Sequence, residues 1–256
     1  MTVKSVTSRD NPLLVRLRKL AGDPGGYRKA GEVWLEGDHL ASAFLHRGGR
    51  APQAVITERG WENDRLRELA NQADAVAIVP EALMAGLSTL ESPAPLGFVV
   101  PWAGVGEPRP GEPTVVLDRL QDAGNVGAVL RSASAFGFTQ VVAIKGTAAL
   151  WSHKVLRAGM GAHFALHLVE AAGPAVLDGL NLPLVATSSH AAQALHEVAL
   201  PWPCAWVMGH EGQGVSDDLM DRCSLAVRIP QPGGEESLNV AAAAAVCLYE
   251  SARQRA

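Results

Sequence analysis

Residues 228–250 read RIPQPGGEESLNVAAAAAVCLYE, a turn followed by an alanine-rich helix. The prolines and glycines between residues 230 and 234 predict a rigid, irregular turn after a strand, because Pro fixes φ and Gly adopts conformations closed to other residues. Ser237 and Asn239 stand at the predicted helix start, where such side chains cap exposed backbone N–H groups. The alanines at 241–245 let another backbone approach closely, although a buried helix with an ordinary cap explains them too.

A second candidate loop lies upstream, in WVMGHEGQGVS at residues 206–216. Gly209, Gly212 and Gly214 follow an apolar strand, and glycine permits positive φ angles and close approach of the backbone to a ligand. The loop is no P-loop, because Gly-Lys-Ser/Thr does not follow. Glu211 stands among the glycines and would repel a pyrophosphate. This pattern indicates a ligand without phosphate groups.

In chain order the first candidate loop is LDRLQDAGNVGAVLRSASAFGF at residues 117–138, the second is residues 206–216 and the third is residues 228–250. A strand is predicted to end near Asp118, and a helix to begin near Asn125 and to end at Gly137. We expect Asn125 to cap this helix, whose N–H groups could hold an anion or ribose oxygens. Arg131 lies inside the helix. A simple cap and a surface charge are the alternative interpretations of these two residues.

The order of predicted elements after residue 113 indicates an α/β fold. Apolar strand-like segments alternate with helical ones, which is typical of a parallel sheet covered on both faces. The predicted strands are TVVLD, QVVAIK, ALHLV, PLVATS, CAWVMG and LAVRI. In such sheets, ligands bind at the carboxyl ends of strands. All three candidate loops follow strands, so we expect them to form one site.

The chain divides into two predicted domains. Residues 101–112 are rich in Pro and Gly and fit a linker. Residues 1–100 read as a small α/β domain that opens with a helix, because Leu13, Leu14, Leu17 and Leu20 recur at helical spacing. Its predicted strands are VWLE, AVIT, VAIV and LGFVV. Residues 113–256 form the domain with the parallel sheet.

Charge is distributed unevenly along the chain. The net charge is −4, but residues 1–29 carry +5 and the remainder therefore −9. The seven basic residues of this segment are Lys4, Arg9, Arg16, Arg18, Lys19, Arg28 and Lys29. A basic segment on an acidic body indicates local docking of a polyanion, although a solvated helix face gives the same pattern.

Other sequence signals narrow the class of protein. Cys204, Cys223 and Cys247 show no metal-ligand spacing, so we expect reduced core thiols and no metal. No apolar run approaches the roughly 18 residues of a membrane span, and the first residues do not resemble a signal peptide. We therefore expect a cytoplasmic protein without a membrane segment.

Taken together, the three loops resemble the motifs of the SpoU (TrmH-type) branch of the SPOUT methyltransferases. The matching residues are Asn125, Gly127 and Arg131 in the first, Gly209, Glu211, Gly212 and Gly214 in the second, and Ile229, Pro230, Gly233, Ser237, Leu238 and Asn239 in the third. The match extends over residues 113–256 and includes SHKVLRAGMGAHF. More loosely, residues 1–100 resemble the family's N-terminal RNA-binding domain.

The resemblance implies a fold, a cofactor and an activity. The C-terminal part of the sheet domain would be threaded into a trefoil knot, which no periodicity predicts. S-adenosylmethionine would bind there, and the reaction would methylate a ribose 2′-hydroxyl in RNA. The implied cofactor-binding residues are Gly209, Gly212, Gly214, Ile229 and Leu238.

The resemblance also assigns catalytic roles. Arg131 would act on the 2′-hydroxyl. Arginine stays protonated in proteins, so it is a poor base. Arg131 would more easily bind the adjacent phosphate and stabilise the negative charge that develops on the 2′-oxygen. Asn125, Glu211, Ser237 and Asn239 would position the ribose, Arg131 and the loops.

Substrate and assembly follow from the same resemblance. The two-domain arrangement favours ribosomal RNA of the 23S type over tRNA, with residues 1–100 choosing the RNA, and the family forms homodimers through the C-terminal domain. Three alternatives compete with this interpretation: a tRNA 2′-O-methyltransferase, an inactive knotted scaffold that binds RNA or assists ribosome assembly, and a Rossmann-type nucleotide enzyme. The absence of a glycine fingerprint after the first strand argues against the last.

Overall fold

The computed structural model describes residues 2–89, 91–234 and 237–255. It divides the chain into two compact units. The first contains the chain up to Gly104 together with Trp151–Phe164, and the second contains Val105–Leu150 together with the chain from Ala165 onward. The predicted class, α/β, is confirmed in both units.

The first unit is built on a five-stranded mixed sheet. Along the chain its elements are β1 (Thr2–Ser5), α1 (Pro12–Gly22), α2 (Gly26–Ala30), β2 (Glu32–Glu36), α3 (Asp38–His46), β3 (Gln53–Thr57), α4 (Glu58–Glu62), α5 (Asp64–Ala70), β4 (Ala75–Val79), α6 (Glu81–Ala85) and β5 (Leu96–Pro101). The strand order is β1-β4-β3-β5-β2, and β5 runs antiparallel to both neighbours.

The first helix forms for reasons visible in the sequence. The Asn11 side chain accepts a hydrogen bond from the Leu13 N–H at 3.0 Å, and Pro12 occupies the first helical position, where no N–H is needed. Leu14, Leu17 and Leu20 are buried, as the helical spacing predicts. Strand β1 was not predicted, because its side chains are exposed and only its backbone pairs with β4.

The second unit contains a seven-stranded sheet in which all paired strands are parallel. Continuing along the chain, the elements are β6 (Thr114–Leu117), α7 (Ala123–Ala135), β7 (Gln140–Ile144), α8 (His153–Gly159), β8 (His167–Ala172), β9 (Leu184–Thr187), β10 (Gln193–Ala194), β11 (Ala205–Met208), α9 (Asp217–Asp221), β12 (Leu225–Arg228) and α10 (Val240–Arg253). The strand order is β10-β12-β9-β11-β6-β7-β8. The predicted parallel sheet is thus confirmed, whereas the trefoil threading stays a prediction.

The strands of this sheet are buried because they are apolar on both faces. Every residue of β6, β7 and β11 is buried, and Val116, Val142 and Val207 belong to one apolar cluster with Leu177 and Leu180. Parallel sheets need such cover on both sides. The strand order also makes β6 and β11 direct neighbours, so the loops that follow them leave the sheet side by side.

Helix α8 packs within the first unit although its sequence lies between strands of the second. His153 Nε2 lies 2.5 Å from a carboxylate oxygen of Glu36, and its Nδ1 lies 3.1 Å from the Thr89 hydroxyl. The rings of Phe44 and Phe164 meet edge to face. The partners of this helix are far away in sequence and leave no local signal.

The three cysteines are free thiols. Burial raises the pKa of Cys204 to about 12 and that of Cys223 to about 11, and it also raises the pKa of Cys247. Over the part of the chain that the structure describes, no helix is long and apolar enough to cross a membrane.

One buried hydrogen bond ties α10 to the sheet and gives a test of the packing. The Trp206 indole N–H donates to the Ser251 hydroxyl at 2.8 Å, and both residues are buried. Ser251→Ala leaves this N–H unpaired, so we expect the free energy of unfolding to fall by about 1–3 kcal/mol. Ser132→Ala on α7 is the control, with an expected change of about 0.5 kcal/mol or less. Equal effects of the two substitutions in urea unfolding would refute this assignment.

Candidate active site

Two of the candidate loops, those after β11 and β12, line a cavity of about 490 Å³ in the second unit, together with Thr187, Ser188 and Ser189 at the end of β9. None of the residues that line it belongs to the candidate loop after β6. All five predicted cofactor-binding residues line this cavity: Gly209, Gly212, Gly214, Ile229 and Leu238. Glu211, Ser237 and Asn239 line it as well. The carboxyl edge of a parallel sheet is where ligands bind in such folds.

A hydrogen-bonded bridge connects the loops at the edge of the cavity. The Glu211 carboxylate accepts hydrogen bonds from the backbone N–H groups of Gln121 (3.2 Å) and Asp122 (3.0 Å) and from the Asn125 amide (3.2 Å). The Asn125 oxygen in turn accepts a hydrogen bond from the Asn239 amide at 3.0 Å. Glu211, Asn125 and Asn239 therefore join one residue from each loop, which we call the three-loop bridge.

The electrostatics of Glu211 favour its charged form. Burial alone would raise the pKa of Glu211, but hydrogen bonds from its own N–H, from Asp122, from Asn125 and from Gln121 hold the pKa below its usual value. A carboxylate that accepts several N–H donors stays ionised. The second loop thus keeps a negative charge beside the cavity.

The predicted role of Asn125 as a helix cap is wrong. Helix α7 begins one turn earlier, and its cap is Asp122, whose carboxylate accepts the Asn125 backbone N–H at 2.7 Å. Asp and Asn are equally good caps. With its backbone already inside the helix, Asn125 has its side chain free for the three-loop bridge. Gly137, with a φ of 81°, follows the helix end as predicted.

The loops have a second connection, which the sequence patterns do not predict. Asp118 is buried at the end of β6 and accepts hydrogen bonds from the Ser216 N–H at 2.7 Å and the Arg119 guanidinium at 2.9 Å. Arg119, with a φ of 61°, also donates to the Gln213 side chain at 3.2 Å. Burial would raise the pKa of Asp118, but these donors keep it below its usual value. In the sequence, the signal that could indicate this connection is the charged pair of Asp118 and Arg119 directly after a predicted strand.

Two glycines of the second loop, Gly209 and Gly214, are required by its shape. A Cβ atom on Gly209 would lie 2.2 Å from the backbone of Gly214 and Val215, so no side chain fits there. His210 and Gly214 exchange two backbone hydrogen bonds of 2.8 and 2.9 Å, which close the loop, and Gly214 has a φ of 71°. Glycine thus permits the close approach of the two backbone segments.

Arg131 and the third loop complete the predicted set. Arg131 is exposed on α7 and is not among the residues that line the cavity. Asn239 caps α10, because its oxygen accepts the N–H groups of Ala241 (2.9 Å) and Ala242 (3.2 Å).

The residues described by the structure contain no cluster of His, Cys, Asp or Glu that could hold a metal ion.

Comparison with known proteins agrees with this geometry. Residues 112–249 match the profile of the SpoU rRNA Methylase family. The 23S rRNA (guanosine-2′-O-)-methyltransferase RlmB of Bordetella pertussis is 32% identical, over 88% of this chain and 89% of that protein.

Solved structures cover nearly the whole chain. The crystal structure of an RNA 2′-O ribose methyltransferase is 32% identical, with a TM-score of 0.81 over 98% of this chain and 99% of the other. The SpoU methyltransferase AviRb from Streptomyces viridochromogenes, in complex with AdoMet, is 26% identical, with a TM-score of 0.86 over 96% and 98% of the two chains. The resemblance inferred from the three loops is confirmed: this chain belongs to the SpoU rRNA Methylase family.

Proposed function

We propose that this protein transfers the methyl group of S-adenosylmethionine to a ribose 2′-hydroxyl of ribosomal RNA. The observation that carries the proposal is the three-loop bridge beside a glycine-walled cavity, in a chain of the SpoU family. Relatives bear out the predicted activity and cofactor, since one is a 23S rRNA 2′-O-methyltransferase and another binds AdoMet. A ribosomal RNA substrate also implies action in the cytoplasm.

The cavity fits S-adenosylmethionine in size and chemistry. Its volume of about 490 Å³ lies in the range of small-molecule sites. Backbone groups near Gly209, Ile229 and Leu238 would hold the adenine, and Gly212 and Gly214 keep side chains out of the way. The charged Glu211 complements a sulfonium cation without phosphate groups. When bound, the cofactor supplies an electrophilic methyl group.

The chain's own residues then act on the RNA. The 2′-hydroxyl is a weak acid and must lose or share its proton in the transition state. We propose that the Arg131 guanidinium binds the adjacent phosphate and stabilises the negative charge that develops on the 2′-oxygen. Asn125, Glu211, Ser237 and Asn239 would position the loops and the ribose. An inactive scaffold would need no such set.

The first unit is proposed to choose the RNA. Lys4, Lys19 and Lys29 are exposed there, within the segment of net charge +5. Lysines that contact phosphates release counterions, so RNA binding should depend on salt. A chain that starts at Glu112 would also separate α8 from its partners Glu36 and Thr89, so substitutions in the full-length chain give the cleaner test.

A homodimer through the second unit is the proposed assembly. Val246 and Tyr249 are 42% and 53% exposed and lie three residues apart on α10, so they share one face. Exposed apolar residues grouped on one helix face favour an interface. Ala243 lines the cavity, so a bulky residue there would disturb the cofactor site as well as any interface.

Methylation of separated RNA pools with labelled cofactor tests the function. We expect the wild type to label ribosomal RNA at a ribose 2′-oxygen and to leave tRNA unlabelled.

Arg131→Ala should bind S-adenosylmethionine as tightly as the wild type, because Arg131 does not line the cavity. Its single-turnover rate should fall by about 100- to 1,000-fold, because the variant lacks a group that stabilises the transition state.

Arg131→Lys, which keeps the charge and loses the planar fork, should restore only part of the rate. Labelling of tRNA alone would contradict the proposed substrate. A near wild-type rate for Arg131→Ala would remove Arg131 from the mechanism, and loss of cofactor binding would contradict the division of roles among the loops.

Salt-dependent binding tests the role of the first unit. In Lys4→Gln/Lys19→Gln/Lys29→Gln we expect weaker RNA binding and a shallower slope of log affinity against log salt. The slope should change by about 0.7–0.9 for each phosphate that a lysine no longer neutralises. The control is Lys145→Gln, which removes an exposed lysine of the second unit. An unchanged slope in the triple variant would show that these lysines do not bind RNA.

Sedimentation velocity tests the assembly. The wild type should be a dimer at micromolar concentration, and Val246→Glu should be a monomer, because it places a charge within the apolar face. Val3→Glu changes a residue of similar exposure, 41%, in the first unit and should leave the dimer intact. A fully active wild-type monomer would overturn the proposed assembly.

A further inference from the structure

Gln231 has a buried oxygen without a hydrogen-bond donor. It lines the cavity of the second unit, and within the described residues its Oε1 atom is shielded and has no hydrogen-bond partner. Buried acceptors in native proteins nearly always have a donor, so each exception calls for an explanation. Because the Gln231 residue lines a binding cavity, a bound ligand can supply the missing donor.

Other polar side chains of the cavity already have partners. Glu211 accepts three N–H groups, and Asn239 caps α10. The His210 Nδ1 accepts the Gly212 N–H at 3.0 Å, and the Ser188 hydroxyl accepts the His190 N–H at 3.2 Å. These groups are used to shape the loops. Gln231 differs from them, because its acceptor is buried and uncommitted.

The local sequence holds Gln231 in place. It stands between Pro230 and Pro232, and a following proline restricts a residue to extended conformations. The Gly234 N–H donates to the Gln231 carbonyl at 3.2 Å and closes the turn. Ile229, two residues earlier, lines the same cavity. The backbone that carries this side chain is therefore restricted before a ligand binds, so little backbone freedom is lost on binding.

We propose that the Gln231 side chain accepts a hydrogen bond from the nucleoside half of the cofactor, and so selects ligands that carry this half. This inference rests on the proposed function. A neutral amide oxygen matches the adenine amino group or a ribose hydroxyl, whereas the charged Glu211 is the better complement for the cationic part. Gln231 would thus be a specificity residue in addition to the backbone groups near Gly209, Ile229 and Leu238.

Calorimetry with three probes tests the proposal. These are S-adenosylhomocysteine, 5′-methylthioadenosine, which lacks the amino-acid half, and S-inosylhomocysteine, which lacks the adenine amino group. Gln231→Met keeps the length of the side chain and removes the acceptor. We expect it to bind the two adenosine probes about 10-fold more weakly. The matched control is Gln193→Met, at an exposed position on β10, and should bind like the wild type.

Thermal unfolding separates recognition from a structural role. Without ligand, Gln231→Met should melt at or above the wild-type temperature, because it removes an unpaired buried acceptor. With S-adenosylhomocysteine, its stabilisation should be smaller than that of the wild type. If the donor is the adenine amino group, the variant and wild type should bind S-inosylhomocysteine equally; a 10-fold difference there assigns the donor to a ribose hydroxyl instead.

Three results would contradict either the role of Gln231 or the proposed function. Equal affinity of Gln231→Met and wild type for S-adenosylhomocysteine would overturn this inference and leave the proposed function intact. Weaker binding of S-adenosylhomocysteine with unchanged binding of 5′-methylthioadenosine would move the hydrogen bond to the amino-acid half and overturn it too. A wild type that binds none of the probes would contradict the proposed function itself.

Discussion

The hydrogen bonds of Glu211 are the constraint on which the rest of the site depends. One carboxylate collects two backbone N–H groups and one amide from the loop after β6, while its own backbone belongs to the loop after β11. Through Asn125 the connection reaches Asn239 and the start of α10. Because these donors lower the pKa of Glu211, the bridge keeps its charge at neutral pH.

The bridge works together with Asp118. That buried carboxylate holds the Ser216 N–H and the Arg119 guanidinium, and Arg119 reaches Gln213 in the loop after β11. The loop is thus held by Glu211 near its beginning and by Asp118 at its end. Between these points the glycines allow the close backbone packing that opens the cavity. Negative charge therefore shapes the loop, and in the proposed function it also complements the cationic part of the cofactor.

The first unit shows how sequence order and packing can differ. Residues 151–164 lie between strands of the parallel sheet, yet they pack with the first unit through His153, Glu36 and the Phe44–Phe164 ring pair. The chain therefore passes between the two units at three places instead of at one linker. A division of the sequence at a Pro- and Gly-rich segment cannot detect an excursion of this kind.

The sequence alone determined the α/β class, the buried strands, the helix of Leu14, Leu17 and Leu20, and the three loops, because each depends on local pattern or residue type. Apolar runs, glycines and capping residues act over a few positions. It also determined the family, because the motif residues recur in fixed order. Tertiary structure decided that the Asn125 side chain bridges the loops to Glu211 and Asn239. The hydrogen bonds of the Asn125 side chain join residues that are 86 and 114 positions apart in the sequence. Only the strand order, which makes β6 and β11 neighbours, brings such residues within hydrogen-bonding distance.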